Sequence, residues 1–95
     1  MVKVIAKFTI KEDKIEGFKS LVSELITETR KEAGCIAYQL YEDQTDKKLL
    51  IFVEEWESKA ALQEHMHSKH FTEVMPKLTE LQQKDLELNV CNLVI

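Results

Sequence analysis

Residues 49–53, Leu-Leu-Ile-Phe-Val, are five consecutive apolar positions inside a segment that otherwise alternates. Successive side chains of an extended strand point to opposite faces. Leu49, Ile51 and Val53 therefore share one face, and Leu50, Phe52, Glu54 and Trp56 share the other. A strand that is apolar on both faces needs cover on both. This run is far shorter than the roughly 20 residues of a membrane span, so the cover must come from protein. The chain has 95 residues, the size of one domain, and its own helices can supply one covering layer. A second copy of the sheet is the simplest source of the other, which predicts a homodimer joined through sheet faces.

The remaining elements follow from changes of period. Residues 2–10 place Val2, Val4, Ala6, Phe8 and Ile10 on one side of a strand, with Ile5 hinting at cover on the second side. Ile15, Phe18, Val22, Leu25, Ile26 and Thr29 then recur at three- and four-residue steps, the stripe of an amphipathic helix. Asp13 is the expected cap at its start, and Gly34 the expected left-handed residue after its end. A second strand over 36–42 turns through the polar residues 43–48 into the third, an antiparallel hairpin. Ser58 should cap a helix over 59–67, and Ser68 should cap another that Pro76 kinks or restarts. Residues 86–95 read as a last strand. The order β-α-β-β-α-β predicts a single α+β domain over 1–95, with a four-stranded antiparallel sheet, helices on one face and a ferredoxin-like plan.

Charge and composition remove several classes of function. The net charge is −4 and the basic residues are scattered, so no patch suits a nucleic-acid backbone. With only two glycines, Gly17 and Gly34, no phosphate-cradling loop can be built, and no GxSxG elbow is present. Cys35 and Cys91 lie far apart in a chain that opens without a secretory signal, which predicts two reduced thiols. A cytoplasmic location, with no membrane partner, is the expectation.

All three histidines fall within residues 65–70. His67, His70 and Glu73 have the spacing of an N,N,O set along one helix, yet no HExxH or second histidine pair supports a metal. A solvated helix face is the expectation there. Histidine is also the side chain that changes charge near neutrality, and burial favours its neutral, proton-accepting form. On one straight helix His65 and His70 would point about 140° apart. A break at Ser68 would let both face one pocket.

The segment Trp56-Glu57-Ser58-Lys59-Ala60-Ala61-Leu62-Gln63-Glu64-His65, followed by Ser68-Lys69-His70-Phe71, resembles the signature of the antibiotic biosynthesis monooxygenase family. Glu32-Ala33-Gly34-Cys35-Ile36-Ala37-Tyr38 is similar to the family's E-P-G-C-x-x-Y, with alanine in place of proline. The opening strand and the entry to the first helix match as well. The resemblance implies a homodimeric α+β barrel and oxidation of a quinol-like or phenolic aromatic by O₂, without metal or flavin cofactor. It also implies a pocket between sheet and helices, with His65 as its histidine and His70 as second polar group or general base. Trp56, Phe52 and Phe71 would wall the pocket, and Tyr38 would sit at its rim. The haem-degrading branch carries Asn, Trp and a ligating His where this chain has Ala6, His65 and Met75, which argues against that activity.

Two rival readings are an isomerase acting on a small phosphorylated sugar, with Lys7 and Lys69 as phosphate ligands, and a non-catalytic ligand-binding dimer.

Overall fold

The computed structural model describes residues 1–95. Four strands, β1 (Val2–Thr9), β2 (Cys35–Glu42), β3 (Leu49–Trp56) and β4 (Glu87–Asn92), form one antiparallel sheet in the order β2-β3-β1-β4. Helices α1 (Ile15–Thr29), α2 (Lys59–Met66) and α3 (Lys69–Leu81) pack on one face. This is the α+β ferredoxin-like plan expected from the order of periods.

The sheet face beneath the helices carries Val2, Val4, Ala6 and Phe8 of β1 and Leu50, Phe52 and Trp56 of β3, all buried. Phe18, Val22 and Leu25 of α1 meet them, and Phe8 packs on Phe18 and Phe52 at ring-centroid distances of 5.3 and 5.9 Å. Aromatic rings bury large areas and favour such tilted contacts, so this cluster holds the sheet to the helices. On the opposite face Ile5, Leu49, Ile51 and Val53 remain half-buried in the lone chain.

Local details depart from the sequence reading in four places. A single 3₁₀ turn, Glu12–Lys14, precedes α1, which starts without a side-chain cap, so Asp13 is not its cap. Gly34 does not have a positive φ. It is small for another reason: a Cβ there would collide with the Cβ of Ala61 in α2. The Gly34 carbonyl also accepts from Glu57 N–H at 2.9 Å, which draws the start of β2 against the end of β3. A bulge between Cys35 and Ala37 shifts the β2 register, and Ile36 turns outward while Tyr38 stays buried. Finally, β4 stops at Asn92, and Leu93, Val94 and Ile95 extend as an exposed apolar tail beyond it.

Ser58 and Ser68 cap α2 and α3 as expected, accepting from Ala61 N–H at 3.1 Å and Phe71 N–H at 3.3 Å. The break between these helices is marked by Ser68, the cap of α3. Pro76 lies inside α3, and the helix continues through it to Leu81.

Candidate functional site

Between the sheet and the helices lies a cavity of about 100 Å³. Its lining is apolar except for two side chains, Glu54 and His65. Val4, Ala6 and Phe8 of β1 form its floor, and Tyr38 and Phe52 its wall on the β2–β3 side. Leu62, Met66, Phe71, Met75 and Leu78 roof it from α2 and α3. Leu88 and Val90 of β4 also line it, yet both are more than half exposed, because no helix covers β4. That side is the natural way in.

Glu54 reaches this interior through strand alternation alone, between Phe52 and Trp56 on the inward face of β3. The carboxyl is 6% exposed, and its one hydrogen bond comes from Trp56 Nε1–H to Oε1 at 3.0 Å. Burial among apolar groups disfavours the charged carboxylate and pushes its pKa up to about 7, with the Trp56 bond pulling the other way. A carboxyl balanced near neutrality in a largely apolar cavity can accept or donate a proton.

The histidines are organised by a second carboxylate. His65 sits in the last turn of α2 and His70 in the first turn of α3. The Ser68 break turns both toward Glu32, which lies in the turn after α1. An ionised carboxylate only accepts, so both imidazoles donate to the same oxygen. His65 Nδ1 lies 2.8 Å and His70 Nε2 2.7 Å from Glu32 Oε2. His65 Nε2 is thereby the acceptor nitrogen, and it is buried without a partner in the chain. Burial holds the His65 pKa below its ordinary value against the opposing pull of Glu32, so the ring is neutral around neutral pH.

Trp56 stacks on His65 with ring centroids 4.6 Å apart, and Phe71 meets the same ring edge-on at 4.9 Å. Phe52, Phe71 and the buried Tyr38 line the cavity. Trp56 does not; it is fully buried behind the wall, packing on His65 and holding Glu54. His70 is also outside the cavity lining, with its Nε2 engaged by Glu32. His67 is exposed and donates from Nδ1 to the carbonyl of Gln63, so His67, His70 and Glu73 do not assemble a metal set. The donor atoms that do cluster are those of Glu32, His65 and His70, all within 4.8 Å of one another. Lys7 and Lys69 are exposed and do not line the cavity, which leaves a bound phosphate without a basic partner there.

The antibiotic biosynthesis monooxygenase model matches residues 1–77. The chain belongs to the antibiotic biosynthesis monooxygenase family. A crystal structure of an antibiotic biosynthesis monooxygenase is 38% identical, superposes with a TM-score of 0.95, and matches over 100% of both chains. Rv0793 from Mycobacterium tuberculosis is 32% identical with a TM-score of 0.94, over 99% of this chain and 95% of that one. The Synechocystis protein sll1783 is 36% identical over 92% of this chain, which spans only 59% of the length of that relative. The family match stops before β4, so the Leu88–Val90 side of the cavity lies beyond the matched residues.

Glu54 is a candidate site residue that no sequence motif marks. Its signal was present as a carboxylate at an inward position of an otherwise apolar strand face.

The raised Glu54 pKa has a consequence for stability. Between the unfolded value near 4.5 and the folded value of about 7, the folded state holds the proton that the unfolded state has released. Stability is then fully present below pH 4.5 and falls as pH rises through the folded pKa of about 7, by an amount approaching about 3 kcal/mol. Glu54→Gln removes this loss, so urea unfolding should show wild type weakening relative to the variant between pH 5 and pH 8. Parallel pH profiles for the two proteins would contradict the buried, proton-holding carboxyl.

Proposed function

We propose that this antibiotic biosynthesis monooxygenase family member oxidises a small phenolic or quinol-like aromatic with O₂, using protein groups to move the proton. The observation that carries this reading is Glu54, an ionisable carboxyl with a single hydrogen bond, lining an otherwise apolar cavity. An apolar cavity of about 150 Å³ in another protein holds benzene, so a ring bound here extends past the enclosed space toward the exposed Leu88 and Val90.

In this mechanism the substrate ring packs against Phe52, Phe71 and Tyr38, and its hydroxyl donates to Glu54. Transfer of the phenolic proton to the Glu54 carboxylate leaves an electron-rich phenolate in a site that excludes bulk water. The phenolate gives one electron to O₂, and the phenoxyl radical and superoxide combine through a new bond between a ring carbon and oxygen. For a hydroquinone, the resulting hydroperoxide breaks its O–O bond to give a hydroxyquinone, and the second oxygen leaves as water. The proton held by Glu54 goes out with that water. Substrate supplies all four electrons that O₂ takes up, so no other reductant enters.

His65 serves as the neutral second polar group of the pocket, with Nε2 as hydrogen-bond acceptor. His70 works through Glu32, holding that tautomer in place, and is a positioning residue rather than the base. Trp56 tunes Glu54 through its indole N–H.

The second copy belongs to the same proposal. Ile5, Leu49, Ile51 and Val53 on the open sheet face, with the exposed Leu93–Val94–Ile95 tail, offer apolar surface for a homodimer. Equilibrium sedimentation should give twice the chain mass, and Ile51→Asp should give the single-chain mass. A monomeric wild type across micromolar concentrations would remove this part.

Oxygen uptake with hydroquinone and with menadiol, corrected for autoxidation, tests the chemistry. Saturable uptake is expected, rising with pH through about 7 as Glu54 ionises. Glu54→Gln should lower it roughly 100-fold or more, the usual scale of general-base loss. Trp56→Phe removes a bond that lowers the Glu54 pKa, so the rising limb should move to higher pH. Rates equal to buffer for both substrates would overturn the assignment.

A further inference from the structure

Two histidines and one carboxylate from three separate elements converge on a single point at the edge of the helical layer. Glu32 comes from the turn after α1, His65 from the end of α2 and His70 from the start of α3. Their facing atoms are Glu32 Oε2, His65 Nδ1 and His70 Nε2, and all lie within 4.8 Å of one another. Both nitrogens already contact the oxygen, at 2.8 and 2.7 Å.

A cation bound by imidazole nitrogen and carboxylate oxygen at about 2.1 Å from each separates its ligand atoms by roughly 3.0–3.4 Å. The two N···O pairs therefore need to open by only a few tenths of an ångström, and the two nitrogens need to close on each other. His70 and Glu32 are partly exposed, so the cluster can be reached from solvent without opening the core.

We propose that Glu32, His65 and His70 form a binding site for a divalent first-row transition cation, with Zn²⁺ the best match. Two nitrogens and one oxygen suit borderline cations of this row, whereas Mg²⁺ and Ca²⁺ prefer all-oxygen shells. Three protein ligands leave a coordination position for water.

The proton balance closes within the two rings. The cation replaces the hydrogens that now bridge to Glu32; His65 moves its proton to Nε2 and His70 moves its proton to Nδ1. Written for neutral rings, the form in which imidazole binds a cation, the exchange releases no proton. His65 Nε2 has no partner in the chain, so no hydrogen bond is broken to receive that proton. The site shares His65 and His70 with the oxygenase reading and would reverse the His65 tautomer used there, but it does not depend on that reading, because binding is measured without substrate.

Sequence spacing would instead have favoured His67, His70 and Glu73. The two sets give opposite outcomes for His67, which makes that residue the control.

The test uses the full chain, stripped with chelator and titrated with Co²⁺ and Zn²⁺. Co²⁺ should develop visible d–d absorption that saturates at one ion per chain and is displaced by Zn²⁺, with Mg²⁺ having no effect. His70→Ala should weaken binding about tenfold or more, and His67→Ala should leave it unchanged. In wild type, imidazole ¹⁵N spectra should show His65 Nδ1 and His70 Nε2 shifting on Zn²⁺ addition while His67 stays put; this readout needs no variant to fold. Absence of Co²⁺ absorption, or binding lost in His67→Ala and retained in His70→Ala, would overturn the site.

Discussion

The two-residue period of β3 governs the rest of this structure. It commits Leu50, Phe52, Glu54 and Trp56 to the face beneath the helices, and three of those four side chains are ordinary core. The fourth brings a carboxyl into a space where its charge is poorly solvated. The indole N–H of Trp56, two residues along the same face, gives it one hydrogen bond and no more. Burial raises the pKa of a group held this way to about 7, and in the proposed mechanism that makes the cavity a place for proton transfer.

The second carboxylate solves a different problem. α2 and α3 are short, and the chain breaks between His65 and His70, where Ser68 caps the start of α3. Glu32 rejoins them by accepting from both imidazoles at one oxygen. Gly34, two residues later, lets β2 approach α2 closely enough for that reach, since a larger residue would meet Ala61. The clamp sets the His65 tautomer, and Trp56 and Phe71 hold the ring in place by packing. Fold and site therefore share the same residues. Substitutions there should be read through stability as well as activity.

Much of this was legible in the sequence because it rests on periodicity. The switch from alternation at residues 2–10 to a three-and-four step at 15–29 predicted strand and helix, and Ser58 and Ser68 marked the two later helix starts. The break at Ser68 even suggested that His65 and His70 could meet. What could not be read is contact between distant segments. Glu32 lies more than thirty positions from both histidines, so no local spacing announces the triad. The bulge that turns Ile36 outward and the steric reason for Gly34 depend on neighbours in space, too. Glu54 was visible as an inward position, but its importance comes from the absence of any second partner, which only three dimensions reveal.

The most direct measurement is the ionisation of Glu54 itself. Carbon-13 NMR of protein labelled at the glutamate side-chain carboxyl, with Glu54→Gln assigning the resonance, follows that one group through a pH titration. The account predicts a midpoint of about 7, well above the ordinary 4.5. A Glu54 resonance that titrates at the ordinary value would mean the carboxyl is solvated, and the cavity would lose its proton acceptor.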